Sequence, residues 1–208
     1  MPPPAVKTSP IAVFLNIPYD ERFRTLYLAY TVGLVHLGFE PHATLSIPGG
    51  TRRLDKIFKE IQRCAFSIHD LSRVELDRKP PCSTPRFNMP FELGLAVAWS
   101  KAASERNHKW FVFESKPFRV QKSLSDLNGT DPHIHDGTVA GILRELNNAF
   151  IRTRNRPTVP EMMQTYRLVS RRLAEILKDA GSKSLFEASA FQSLCYAAKL
   201  ASDATRSL

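Results

Sequence analysis

The 208-residue chain contains no apolar run approaching the roughly 20 residues that a membrane-spanning helix needs. A membrane partner is therefore not expected. The first ten residues form a proline-rich lead without the apolar stretch of a secretory signal, which points to the cytoplasm. Cysteine is scarce. Cys64, Cys82 and Cys195 lack metal-ligand spacing, and Cys64, in an apolar strand-like run, reads as a buried free thiol. His69, His133 and His135 stand without the carboxylate–histidine spacing of a metal motif, so neither a metal nor another cofactor is expected. Helix-turn-helix, zinc-knuckle and aromatic RNA-platform signatures are missing, as are internal repeats.

What is present is basic and apolar in useful amounts. The net charge is +9, and residues 151–208 carry ten Lys/Arg against five Asp/Glu. Without a nucleic-acid motif beside it, that excess reads as a solvated basic face, and a nucleic-acid partner is not expected. The hydrophobic fraction of 43% is enough for the core of one medium domain.

Ile11 to Ile17 is a continuous apolar run, as in a strand covered on both faces. Residues 21–37 then show helical spacing through Phe23, Leu26, Tyr27, Tyr30, Leu34 and Leu37, with Gly38 as C-cap. Further strands are expected over Phe39–Leu45, Cys64–Asp70 and Trp110–Phe113, and a short one near His133–His135. A turn is expected at Pro48-Gly49-Gly50. Helices are expected over 52–63, 88–99 and 138–150. This alternation predicts an α/β fold, a flavodoxin-like parallel sheet of about five strands with helices on both faces. Residues 1–10 are the lead, 11–150 the α/β domain and 151–208 a C-terminal helical extension. The extension begins with a linker, followed by helical stretches over 159–180 and 184–203. Its apolar positions need cover from the sheet domain, a second subunit or both.

Ligands of parallel α/β sheets gather at the carboxyl ends of the strands. Three polar clusters fall there. The first strand delivers Asn16, Tyr19 and Asp20. The third delivers Asp70, Ser72 and Arg73. The loop into the next helix delivers Arg86, Asn88 and, in the first turn of an otherwise apolar helix, Glu92. An acidic residue in a first turn also complements the helix dipole, so Glu92 by itself reads equally as a dipole partner. Of the neighbouring arginines, Arg86 stands nearest to Glu92 in sequence and is the expected anion-binding group. Arg53 is one of several others.

The stretches RFNMPFELGLAVA, CAFSIHDLSRVELD and FLNIPYDERF resemble the catalytic-glutamate helix, the preceding aspartate-ending strand and the first strand of the nucleoside 2-deoxyribosyltransferase superfamily, over about residues 10–150. That superfamily is related to the Toll/interleukin-1 receptor (TIR) domains that cleave NAD. The resemblance implies attack on an N-glycosidic bond of a nucleoside, nucleotide or NAD-like substrate. Glu92 would be the nucleophile or charge stabiliser, and Asp70 would orient the ribose or assist protonation. Asn16, Tyr19, Asp20, Ser72, Arg86 and Asn88 would bind substrate. It also implies a homo-oligomer, here expected through the C-terminal helices. The chain has Asn16-Ile17-Pro18 where the family has a glycine–proline pair, and it carries Arg52-Arg53 after Gly49-Gly50, which suits a phosphorylated or larger substrate. The alternative is a non-catalytic nucleotide-sensing or protein-interaction module with a TIR-like fold.

Overall fold

The computed structural model describes residues 10–46, 52–73, 76–77, 84–102, 108–151 and 156–206. The proline-rich lead up to residue 9, the expected turn at Pro48-Gly49-Gly50, Cys82 and residues 152–155 of the linker lie outside them. The elements run β1 (Ala12–Asn16), α1 (Arg24–His36), β2 (Glu40–Ala43), α2 (Arg53–Arg63), β3 (Phe66–Asp70), a short pair β4 (Leu76–Asp77) and β5 (Thr84–Pro85), and α3 (Asn88–Ala102). They continue with β6 (Lys109–Glu114), α4 (Arg119–Ser123), β7 (His133–Ile134), α5 (Val139–Ala149), α6 (Val159–Arg171), α7 (Leu173–Asp179) and α8 (Ala188–Arg206).

The sheet order is β2-β1-β3-β6-β7, with every neighbouring pair parallel, which is the expected five-stranded flavodoxin-like arrangement. β4 and β5 pair antiparallel outside this sheet. Val13, Phe14 and Leu15 are wholly buried, because helices cover both faces of the sheet at β1, an inner strand. Gly38, at φ 88°, ends α1: its amide bonds the Val35 carbonyl, and the Phe39 amide bonds that of Leu34. The second strand is shorter than expected, because the chain winds into a 3-10 turn at Thr44–Ser46. The fifth strand spans only two residues.

The C-terminal helices are built into the core. A capping box between Thr158 and Glu161 starts α6, and the expected 159–180 helix breaks at Arg172 into α6 and α7. Met162, Val169, Leu173, Ile176, Phe191, Leu194 and Ala198 join one cluster with Tyr27, Tyr30 and Leu34 of α1 and Leu143 and Leu146 of α5. Wholly buried His36, at the end of α1, bonds Thr165 of α6 (2.8 Å), which bonds Thr205 of α8 (3.1 Å). Burial, with the Arg206 charge adding to it, pushes the His36 imidazole down to about 4, so it packs as the neutral ring. Leu168, Tyr196 and Leu200 remain exposed. Among the described residues no helix is long and apolar enough to cross a membrane.

If the C-terminal helices belong to the cooperative core, truncating wholly buried Leu194 in α8 opens a cavity in that core. Leu194→Ala should lower unfolding free energy by about 2–5 kcal/mol in urea denaturation followed by tryptophan fluorescence. A change below about 0.5 kcal/mol would mark the helices as an independent appendage.

Candidate functional site

The carboxyl edge of the sheet is held together by side chains that meet across loops. Asn16, 2% exposed at the end of β1, donates one amide hydrogen to His69 Nδ1 and the other to the Met89 carbonyl in the first turn of α3, both at 2.9 Å. His69 Nε2 then donates to Ser67 Oγ (2.9 Å), and the Ser67 hydroxyl donates to His108 Nε2 (2.9 Å). His108 Nδ1 donates to the Cys64 carbonyl (2.9 Å). One tautomer of each ring satisfies every bond in this chain. Burial, with His108 adding to it, pushes His69 down to about 3, and burial lowers His108 as well, so both rings are neutral at pH 7. Asn16 is therefore a brace for α3.

Asp70 is completely buried and faces α1. Tyr30 donates its phenol to Oδ2 (2.7 Å), and Ser72 donates both its amide (2.8 Å) and its hydroxyl to Oδ1. His135 accepts from the Gly137 amide at Nδ1 (3.1 Å), which leaves the proton on Nε2, and that nitrogen lies 3.2 Å from Asp70 Oδ2 without making a hydrogen bond to it. Gly141 of α5 makes this arrangement possible, since a β-carbon there would come within 1.9 Å of the His135 carbonyl oxygen. Asp70 and Ser72 thus tie the end of β3 to α1 and to the turn after β7.

Asp20 is equally engaged. It caps the 3-10 turn at Glu21–Phe23 through the Phe23 amide (3.2 Å), and it pairs with Arg86 (2.9 Å) and Arg73 (3.4 Å). Arg86 is paired with Asp20, which it shares with Arg73, so the three groups together carry one net positive charge. Asn88 is exposed and lies inside α3. The Phe87 carbonyl accepts the first helical bond, from the Phe91 amide (3.0 Å), so the cap position falls on Phe87, one residue before Asn88, whose side chain is of the type that favours a cap. Pro90 is still among the amides that lack an intrahelical acceptor, so the earlier start costs no hydrogen bond.

Glu92 differs from all of these. It is 8% exposed, and among the described residues its carboxylate has no hydrogen-bond or ion-pair partner. Burial pushes it up to about 7, against the opposing pull of Arg53. Tyr19 lies within electrostatic reach. Its phenol, which donates to the Leu15 carbonyl (3.0 Å), is pushed up to about 12 by burial, opposed by Thr44 and reinforced by the Glu92 charge. Arg53, at the start of α2, donates to Thr44 Oγ1 (3.3 Å). The group around Glu92 is therefore Tyr19, Thr44 and Arg53. Thr44 went unnoticed in the sequence because nothing local marks it, whereas Arg53 was named there among the arginines but not singled out. The exposed rings of Phe87 and Phe91 flank the same helix start.

No protein-family model, curated protein or solved structure matches the chain.

Because the folded pKa of Glu92 lies above its ordinary 4.5, the folded protein holds that proton more tightly than the unfolded chain does. Stability contributed by the neutral carboxyl is present below about pH 4.5 and is lost as pH rises toward 7. Glu92→Gln removes this dependence. Relative to the parent, the variant should gain on the order of 2 kcal/mol more at pH 8 than at pH 4.5. Urea denaturation of both proteins at the two pH values measures this. An equal difference at both would mean that Glu92 is solvated.

Proposed function

We propose that the chain cleaves the N-glycosidic bond of a nucleoside, nucleotide or NAD-like substrate, by hydrolysis or by transfer, with Glu92 as the reacting carboxylate. The observation that carries this reading is the burial of Glu92 without a partner. A carboxylate costs stability when it is taken out of water unpaired, and such groups concentrate where a charge is needed for chemistry. Breaking a ribosyl–base bond develops positive charge at the anomeric carbon. A nearby carboxylate in a partly desolvated site stabilises that charge or traps the sugar as an ester. In the trapping route the carboxylate oxygen bonds the anomeric carbon as the base leaves with the bonding pair and takes up a proton. Water or another acceptor then releases the sugar and restores Glu92.

The surrounding groups support the substrate class. Arg53 offers a guanidinium for a phosphate, in place of the engaged Arg86. Phe87 and Phe91 offer exposed rings on which a base can stack. Tyr19 stays protonated at neutral pH and limits water around Glu92. Asp70 contributes at a distance by fixing the end of β3, and its burial leaves leaving-group protonation to water or to the substrate. Sealing of the second carboxylate favours the other reading, a nucleotide-binding module without turnover. A homo-oligomer through α6 and α8 completes the proposal, supported by exposed Leu168, Tyr196 and Leu200 beside a cleft of about 690 Å³.

Incubation with nucleosides, deoxynucleosides, their 5′-phosphates and NAD, with chromatography of the freed base, tests the reading. Release from at least one substrate is expected, rising as pH crosses about 7 because the ionised form reacts. Glu92→Gln should lower kcat by at least about 10³-fold with ligand affinity largely kept. Binding without release by the parent would establish the non-catalytic module, and full activity of Glu92→Gln would remove the carboxylate from the chemistry.

A further inference from the structure

A second group of chemically reactive side chains lies away from the candidate site, on the free edge of the sheet. β2 is the edge strand, and residues two apart on a strand share a face, so Glu40 and His42 point together. β2 pairs with β1 in a register that sets His42 beside Phe14, and Phe14 packs against Ile57 and Ile61 of α2. His42 therefore faces the helix that carries Glu60 in its last turn, and Cys64 follows as the residue after that helix. His42 Nδ1 is 3.0 Å from Glu60 Oε2. One ring nitrogen of His42, one carboxylate oxygen of Glu60 and the Cys64 thiol sulfur all lie within 4.8 Å of one another.

A second, independent feature concerns the other side of the same ring. His42 Nε2 lies 3.5 Å from Glu40 Oε1. A histidine that binds a metal through one nitrogen typically donates its other N–H to a carboxylate, which fixes the tautomer and strengthens the ligand. Here Nδ1 faces a carboxylate oxygen of Glu60, while Nε2 faces a second carboxylate, that of Glu40. Glu60 is further oriented by Arg63, which donates to its remaining oxygen, Oε1 (3.1 Å). A cleft of about 410 Å³, lined by Glu40, His42, Glu60, Arg63 and Cys195, opens onto His42 and Glu60 and gives a metal access from that side, while Cys64 lies behind it in the apolar cluster of Phe14, Ile57 and Ile61.

We infer that His42, Glu60 and Cys64 form a zinc site, with Glu40 as the outer carboxylate holding His42. Sulfur, nitrogen and oxygen donors from three side chains suit a tetrahedral zinc ion whose fourth position is filled by water. Closing the site brings the donor atoms, now up to 4.8 Å apart, to the roughly 3.5 Å separations that tetrahedral bonds of about 2.0–2.3 Å impose, and the nitrogen–oxygen pair at 3.0 Å is already that close. On binding, the Cys64 thiol gives up its proton to solvent, and the thiolate bonds the metal. The ion would clip edge strand β2 to the end of α2 and the start of β3. The site is independent of the proposed chemistry at Glu92.

The test uses the full chain, stripped with a chelator and then titrated with Zn²⁺ by calorimetry and with Co²⁺ by absorption. One Zn²⁺ per chain is expected, together with a thiolate-to-cobalt charge-transfer band in the near ultraviolet. His42→Ala and Cys64→Ser should each weaken binding at least tenfold, and Glu40→Gln should weaken it by roughly tenfold. Cys195→Ser should leave binding and the band unchanged. Zn²⁺ should raise the melting temperature of the parent but not of His42→Ala. Absence of the charge-transfer band in the parent overturns the assignment without any variant. So does Zn²⁺ binding that persists in His42→Ala, which lies on the edge strand outside the wholly buried core and serves as the second variant should Cys64→Ser fail to fold.

Discussion

Among the described residues three carboxylates are buried at the carboxyl edge of this sheet, and the cost of removing each from water is several kcal/mol unless hydrogen bonds and counter-charges replace the lost hydration. Asp70 receives the Tyr30 phenol and both donors of Ser72. Glu114, 1% exposed, receives the amides of Ser115 (2.6 Å) and Lys116 (3.3 Å) and the Arg119 guanidinium, whose Nε lies 2.8 Å from Oε2. Arg119 also reaches the Ser72 carbonyl (2.8 Å), so the ends of β3 and β6 are joined through it. Glu92 receives none of this among the described residues. The first two carboxylates build the edge, and the third is met, among the described residues, only by the charge of Arg53.

Glu92 is kept there by apolar packing and by a polar brace. Leu93 and Ala96, on the same helix, bury against the sheet, which fixes the rotation of α3 and carries Glu92 inward with them. Asn16 holds the Met89 carbonyl one turn before Glu92, and the neutral imidazole of His69 holds Asn16. A helix with a weaker anchor could roll and release the carboxylate to water. This one is fastened at its first turn and along its inner face.

The parts of the molecule governed by local pattern were legible in the sequence. The run Ile11 to Ile17 gave the doubly covered β1, Gly38 gave the end of α1, and strand–helix alternation gave the parallel sheet. Glu92 was legible as an acidic residue in an apolar helix start. What failed to show were partners far apart in sequence. Asp20 and Arg86 each looked available to a ligand and instead meet across 66 residues. Asp70 looked like the end of a strand open to a site, but Tyr30 from α1 closes it off. The apolar faces of the C-terminal helices called for cover, but the bond that fastens them, His36 with Thr165, spans 129 residues and leaves no local sign. His42 attracted no notice, since its neighbours Glu60 and Cys64 come from another element.

The central claim is that Glu92 is a desolvated carboxylate with no hydrogen-bond or ion-pair partner among the described residues, and its own titration tests that most directly. Carbon-13 NMR of the glutamate side-chain carboxyls, with the Glu92 resonance assigned by its loss in Glu92→Gln, reads the proton at that single group. The account predicts a midpoint of about 7. A midpoint in the ordinary carboxylate range, near 4.5, would show Glu92 to be hydrated or paired and would contradict the account.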